Sequence, residues 1–339
     1  MSIVSCRRKG FILIVLLCLL LCSCSKDKRS SKNNSLANDE TDYSEGDTSE
    51  DVSEVFHAED EKCMPEVSVH FLDIGKADCI LIKIGTQAVL IDSGTSDKAK
   101  DIVKYLKKQN VKKLEYAVAT HCDKDHVGGM SAVLNEFPTD VLLMSSRGKN
   151  TKPYKSMIET AVELKVTTFI PKVKTTFYVG EVKFTVLAPG DLAMAADTDN
   201  ESSIVLMMQY GERKFLFMGD AMEVSEKEML SEQFDLHADV IKVGHHGSKR
   251  CSSEEFLDAV NPAVAVITCE EGDGTSLPEK ETLQVINQQN ILLYRTDRDG
   301  NIVMKTDGID IKISKSNKGN SDDKKSEDNR FEESMGNKG

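Results

Sequence analysis

The sequence predicts an α/β (α+β) fold in which mixed sheets are covered by helices, and two observations carry that reading. Short β-rich runs bounded by turn residues recur through the middle of the chain. Between them lie segments whose apolar residues return at helical spacing, so hairpins and strand-helix alternations occur together.

Taken in order, VSVHFLD (67–73), CILIKI (79–84) and QAVLID (87–92) read as strands with partial apolar alternation. The stretch Ser96 to Asn110 opens on an N-cap residue type and sets Ile102, Val103 and Leu106 at helical spacing. YAVAT (116–120) reads as a buried strand, and a helix follows from about Met130 to Phe137. The second half repeats the style with EVKFTVLAP, SIVLMMQY, KFLFMGD, DVIKVGHHGS, AVAVIT and ILLYRTDRDGNIVMKTDG. Helices are expected between them near 223–233, 253–260 and 279–289, and no internal repeat is visible. In such a fold, loops that follow strands collect at one sheet edge, where residues far apart in sequence meet.

Not all of the 339 residues, with their formal charge of −13, belong to that fold. Residues 1–23 have the layout of an export signal: Arg7, Arg8 and Lys9, an apolar run from Phe11 to Leu21, then small residues and cysteine. The run falls short of the about 20 apolar residues of a spanning helix, which makes a retained anchor helix the weaker alternative. Leu21-Cys22-Ser23-Cys24 resembles a bacterial lipobox, which implies lipidation of Cys24 and attachment to a membrane surface. Residues 24–64 then form an acidic tether; Ser25 to Met64 holds 12 Asp or Glu against 5 Lys or Arg, too polar to offset its ordering entropy. Residues 314–339 form a polar tail with 6 charges of each sign.

The domain expected at 65–313 holds 38 acidic and 29 basic residues. It offers polyanions no general attraction, so such a substrate needs a local basic patch, for which Lys242, Lys249 and Arg250 are the candidates. Four of the nine cysteines fall in the leader; Cys63, Cys79, Cys122, Cys251 and Cys269 form no CxxC pairs, so the fold is not expected to depend on disulfides.

The chemistry concentrates in THCDKDHVGG (120–129), directly after a buried strand. His121, Asp123, Asp125 and His126 are the ligand types of a hydrolytic metal centre, which needs imidazole and carboxylate groups around an ion with one position left for water. Gly128 and Gly129 let the backbone turn close to such a site. The bland alternative is a solvated turn. Asp220 ends the strand of KFLFMGD and suits a bridging ligand, or else caps the following helix. His245 and His246 follow another strand between glycines. Adjacent histidines point different ways, so one is expected to be a ligand or proton donor and the other a packing residue. Asp73, Asp78 and Asp92 at strand ends are candidates to orient the histidines, or else simple turn residues.

The succession VHFLDIGKAD, VLIDSG, THCDKDHVGG, NESSIVLMMQYGERKFLFMGD, DVIKVGHHGS, YRTDRDG resembles the metallo-β-lactamase superfamily. More narrowly it is similar to the hydrolase domain of ComEC-type competence DNA-uptake proteins and their secreted single-domain relatives. The resemblance covers Val67 to about Asp310 and implies an αββα sandwich with metals at the edge between the sheets. It implies His121, Asp123, Asp125, His126, Asp220 and His245 as metal ligands, Asp125, His245 and His246 as catalytic groups, and Asp92, Asn200, Ser202 and Ser203 beside them. The superfamily's usual second histidine is Asp123 here, which shifts ligation toward oxygen and makes Mn²⁺ as suitable as Zn²⁺, one or two per chain. The late Gly-His-Pro element is absent; Leu277 stands where its histidine is expected, so one ligand or catalytic histidine is expected to be missing.

The function implied is a lipid-anchored hydrolase on the extracytoplasmic face of the cell membrane, cleaving phosphodiesters of DNA or nucleotides through metal-activated water. The alternatives are a catalytically weak scaffold of the same fold and a hydrolase of a non-nucleic ester. No protein partner is inferable.

Overall fold

The computed structural model describes residues 65–272 and 274–316. The expected leader with Cys24, the acidic tether, Cys63 and the tail beyond Ser316 lie outside the described residues. Among the described residues, no helix is long and apolar enough to cross a membrane.

One sheet is built from Val67–Phe71 (β1), Ile80–Ile84 (β2), Gln87–Ile91 (β3), Leu114–Ala119 (β4), Thr139–Met144 (β5) and Thr167–Phe169 (β6). The other takes Thr176–Val179 (β7), Val182–Ala188 (β8), Val205–Tyr210 (β9), Arg213–Phe217 (β10), Val240–Lys242 (β11), Val264–Ile267 (β12) and Leu292–Arg295 (β13). Ile302–Thr306 (β14) and Ile311–Lys315 (β15) return to the first sheet, giving the orders β15-β14-β1-β2-β3-β4-β5-β6 and β13-β12-β11-β10-β9-β8-β7. β15 carries the fold past Ile313, where the tail was expected to begin.

Strand periodicity explains why two sheets stack. In β1, Val67, Val69 and Phe71 face the other sheet, joined by Ile80, Ile82 and Ile84 of β2 and by Phe184, Leu206, Met208, Phe215 and Phe217 opposite. The alternate residues are apolar too: Leu81, Ala88 and Leu90 on one outer face, Val205, Met207 and Leu216 on the other. A sheet that is apolar on both faces has to be covered on both.

The first sheet is covered by Ala99–Lys108 (α1), the short Lys124–Val127 (α2), Met130–Glu136 (α3) and Lys152–Glu163 (α4), whose buried Ile102, Leu106, Val133, Leu134, Met157 and Ala161 join its outer core. On the second lie Asp191–Ala195 (α5), Glu223–Ser231 (α6), Glu254–Val260 (α7) and Lys280–Gln288 (α8), before the one-turn Thr296–Asp299 (α9). Met229, Phe256, Leu257 and Ile286 fill that outer core. The result is the expected αββα sandwich.

Every strand and longer helix anticipated above is present. The segment from 138 to 180, which gave no reading, supplies β5, α4, β6 and β7.

Candidate metal centre

The loops after β4, β10 and β11 meet at one edge of the sandwich and bring His121, Asp123, Asp125, His126, Asp220, His245 and His246 together. Asp220 is the hub. Its Oδ1 lies 3.2 Å from His126 Nε2 and 3.6 Å from His246 Nε2. Its Oδ2 lies 3.8 Å from His121 Nε2 and 3.9 Å from His245 Nε2. Asp123 Oδ2 is 3.8 Å from His121 Nε2, and Asp125 Oδ2 is 3.8 Å from His246 Nε2. Two overlapping sets of donors lie within 4.8 Å of one another, His121 with His126 and Asp220, and Asp125 with His126 and His246, while Asp123 and His245 flank the first.

The ring nitrogens facing away from this centre are all tied down, which settles what the inner ones present. His246 Nδ1 donates to the carbonyl of Thr268 at 2.8 Å; a carbonyl only accepts, so the neutral ring keeps a lone pair on Nε2. His126 Nδ1 donates to Asp92 Oδ2 at 2.8 Å. Thr120 Oγ1 donates to the same Asp92 oxygen at 2.7 Å, so it accepts from His121 Nδ1 at 3.2 Å. Each arrangement is the outer-sphere bracing that fixes the tautomer of a ligating histidine.

Inside the cluster, His121 Nε2, His126 Nε2, His246 Nε2 and Asp220 Oδ1 are buried without a hydrogen-bond partner. His126 Nε2 and Asp220 Oδ1 approach closely without hydrogen-bond alignment. Four buried polar atoms left unsatisfied in one place would be costly unless a further group engages them. Ligands about 2.0–2.2 Å from a tetrahedral ion lie about 3.3–3.6 Å apart, close to the spacings here, so the donor set fits a divalent cation.

Charge balance agrees. Burial opposes a charge on His126, yet Asp220 and Asp92 outweigh it and push its pKa up. Burial likewise opposes ionisation of Asp220, but His126, His246 and His121 hold its carboxyl well below the usual range. For Asp125 the opposing burial is outweighed by His126, Lys76 and His246. Carboxylates kept ionised in a buried cluster demand positive charge nearby. Burial lowers the pKa of both His245 and His246, keeping them neutral as ligands require.

Two sequence expectations need correction. The paired histidines do not divide into one inward and one outward ring. His245 and His246 both adopt left-handed backbone, at φ 38° and 51°, so successive side chains are offset by a helical step and both reach Asp220. They still differ: His246 is fully buried, while His245 sits at the mouth with its ring against Asn200, whose amide lies 3.1 Å from Nε2. The expected basic patch is also not available. Lys242 is fully buried, with Nζ 2.8 Å from Asp78 Oδ2, and Lys249 and Arg250 pair with Glu279 and Glu223.

Asp78 and Asp92 are built into the centre. Thr268 Oγ1 also donates to Asp78, which stands 3.6 Å from His246 Nδ1 and 4.0 Å from His126 Nδ1. Ser203 Oγ accepts from the backbone N–H of Asp220 at 3.1 Å. Asp73 is placed differently, through its backbone N–H donating to Asn301 at 2.7 Å. The glycine pair earns its place by close approach: a Cβ on Gly128 would lie 2.4 Å from the carbonyl of Lys124. Leu277 contributes no donor, but its neighbours pack on the histidine loop, with Glu279 N–H donating to the Gly247 carbonyl at 2.9 Å. Four participants escaped the sequence reading: Thr120, Thr268, Lys76, which pairs with Asp125 Oδ2 at 3.0 Å, and Lys149, which pairs with Asp123. Only Lys76 had a legible signal, as a positive charge inside the strand-end carboxylate motif DIGKAD.

The chain is similar to several known proteins. The chain is 28% identical over 255 residues to ComE operon protein 3 of Bacillus subtilis (strain 168), covering 70% of this chain and 33% of that protein. It is 27% identical to Recombination protein 2 of Haemophilus influenzae, covering 70% of this chain and 29% of that protein. The chain thus spans about a third of the length of these curated relatives. Among solved structures, the metallo-beta-lactamase fold protein YhfI from Bacillus subtilis aligns over 71% of this chain and 100% of its own, with a TM-score of 0.47 at 12% identity. The profile described as the Metallo-beta-lactamase superfamily matches residues 72–269, more than half of the sequence. The chain therefore belongs to the metallo-beta-lactamase superfamily, in its ComEC-like branch.

Proposed function

We propose that the protein is a metal-dependent hydrolase of phosphodiesters, with DNA or nucleotides as substrates, held by lipid at Cys24 on the extracytoplasmic face of the membrane. The observation behind the hydrolase reading is the convergence of three bare histidine Nε2 atoms and Asp220 Oδ1 in one buried cluster. His121, His126 and Asp220 would hold one ion, and Asp125 and His246, with His126, form the set that would hold a second. A divalent ion there supplies a Lewis acid that polarises the ester and makes water acidic enough to attack near neutral pH.

The chain's own groups do the rest. Asp92, Thr120 and the Thr268 carbonyl fix three imidazoles so that the donors are arranged before substrate arrives. Asp125, ionised and paired with Lys76, accepts a proton at the reacting centre. His245, neutral and at the mouth, carries a proton between that centre and solvent, held in orientation by Asn200.

The phosphodiester choice draws on the competence-protein relatives, and the anchor on the leader sequence. Metal analysis of the purified protein, with hydrolysis of a simple phosphodiester and of single-stranded DNA, tests the proposal. The expected result is bound metal near stoichiometry and cleavage that is lost in Asp125→Ala. Far less than one ion per chain, and no cleavage with added zinc or manganese, would overturn it and leave a scaffold; cleavage of carboxylic esters alone would reassign the substrate.

A further inference from the structure

The candidate metal centre straddles the two sheets. His121, Asp123, Asp125 and His126 follow β4 of the first, whereas Asp220, His245 and His246 follow β10 and β11 of the second. An ion held at about 2.0–2.2 Å tolerates little error in the spacing of its ligands, so the separation of the sheets at this edge has to be fixed. The buried pair of Asp78 and Lys242 lies where that separation is set.

Lys242 is the last residue of β11, and Val240 of the same strand belongs to the core between the sheets. Strand alternation turns Lys242 the same way, level with Phe217 and Val266 on the neighbouring strands. Asp78 comes from the opposite sheet, in the loop between β1 and β2. Both side chains are buried, and this ammonium does not reach water as that of a lysine ordinarily does. Its three N–H groups have three acceptors: Asp78 Oδ2 and the Val243 carbonyl, each at 2.8 Å, and the Gly219 carbonyl at 3.3 Å.

These partners connect to every loop that carries a candidate ligand. Gly219 immediately precedes Asp220, and its carbonyl also accepts from the His245 N–H at 3.2 Å. Val243 leads into the paired histidines. On the other side, the Asp78 N–H donates to the Asp125 carbonyl at 3.1 Å. The Asp78 carboxylate also accepts from the hydroxyl of Thr268, the residue whose carbonyl holds the His246 ring. A buried ion pair is a poor source of stability, because desolvation offsets its attraction and apolar residues of similar volume often do as well. What apolar residues do not supply is three directed bonds from one atom.

We propose that Asp78 and Lys242 are positioning residues, which fix the spacing between the ligands of the first sheet and those of the second before a metal ion binds. This rests on the metal-centre reading and gives the preorganisation of that centre a structural cause.

The test compares the wild-type chain with Lys242→Met and with the double variant Asp78→Asn, Lys242→Met, in which neither charge is left buried alone. Each is titrated with cobalt(II) against a chromophoric chelator, the ligand-field absorption of the bound ion is recorded, and the metal-free protein is melted. Lys249→Met, on the surface, is the control. The double variant is expected to melt closer to wild type than Lys242→Met does, yet to bind cobalt about 10- to 100-fold more weakly, with its absorption bands altered in position or intensity. Lys249→Met should match wild type in all three measurements. A folded double variant with wild-type cobalt affinity and wild-type bands would overturn the positioning role, leaving a plain buried ion pair beside an intact metal centre. Wild-type protein that binds no cobalt would overturn the metal-centre reading, and this proposal with it.

Discussion

Asp92→Asn is the sharpest single probe of the cluster. Asp92 is fully buried and takes three hydrogen bonds, from the Thr120 N–H at 2.8 Å, the Thr120 hydroxyl at 2.7 Å and His126 Nδ1 at 2.8 Å. An asparagine of the same shape has one accepting oxygen in place of two. If that oxygen keeps the Thr120 N–H, its amide NH₂ faces His126 and donates to Nδ1. The His126 proton then moves to Nε2, the atom aimed at Asp220, and closes that lone pair. If the amide is turned round, two N–H groups face each other at Thr120. In the first orientation the two amide N–H groups can serve both His126 Nδ1 and the Thr120 hydroxyl oxygen, whereas in the second a buried hydrogen bond is lost, at a cost of about 1–3 kcal/mol. For a domain of this size that lowers Tm by about 2–4 °C per kcal/mol. Loss of such a bracing group weakens metal binding about 10- to 100-fold. Competition against a chromophoric chelator measures the affinity, and thermal unfolding with and without metal gives the stability. A variant that unfolds at lower temperature but holds metal as tightly as wild type would refute the bracing role and leave Asp92 a purely structural residue.

Three further outcomes follow from the same reasoning. Burial, with Lys305 and Lys83 adding to it, draws the pKa of His70 from 6.5 down to about 4, so the folded state resists a proton that the unfolded chain accepts. This leaves stability intact above pH 6.5 and removes about 3 kcal/mol as pH falls to 4; urea titrations should show a flatter acid limb in His70→Gln, and an unchanged limb would contradict it. Lys242→Met leaves Asp78 buried without its ammonium and should destabilise the fold by about 3–5 kcal/mol, whereas Lys249→Met, on the surface, should stay within about 1 kcal/mol. His246→Gln and His121→Gln should each remove one ion of a bound pair by metal analysis, and Asp220→Asn should weaken both; three variants with the same residual content would argue against two donor sets.

What was legible in the sequence follows from which signals are local. β2, β3 and β9 announce themselves because apolar residues fill both buried faces, and β1 because Val67, Val69 and Phe71 alternate with polar residues. His121 to His126 stand out because polar ligand types crowd a loop after a buried strand. The stretch that builds β5, α4 and β6 gave no such signal: all of β6 is exposed, and α4 buries only Met157, Thr160 and Ala161 among many polar residues. Other contributions leave no mark on residue type. Thr268 braces His246 through a backbone carbonyl, which any residue provides. Lys242 reads as a surface lysine in a short strand until Asp78, far away in sequence, is found against it. The left-handed backbone at His245 and His246 is likewise invisible, since non-glycine residues rarely adopt it and nothing in GHHG demands it.

That backbone decides how the missing late histidine should be weighed. Leu277 was expected to leave the centre one ligand or catalytic histidine short, because it stands where the histidine of a late Gly-His-Pro element is expected. Both rings reach Asp220, and two sets of three donors lie within 4.8 Å of one another, His121 with His126 and Asp220 and Asp125 with His126 and His246, with Asp123 and His245 outlying on the His121 side. The two sets are not equal. His126 and His246 are fully buried and braced, whereas His245 is partly open to solvent and shares its nitrogens with Asn200, and Asp123 is engaged by Lys149. A donor that has to leave a partner before binding costs affinity, so the side holding His121 is the weaker of the two. The asymmetry comes from Asn200 and Lys149, residues present in the chain, and not from the histidine absent at Leu277.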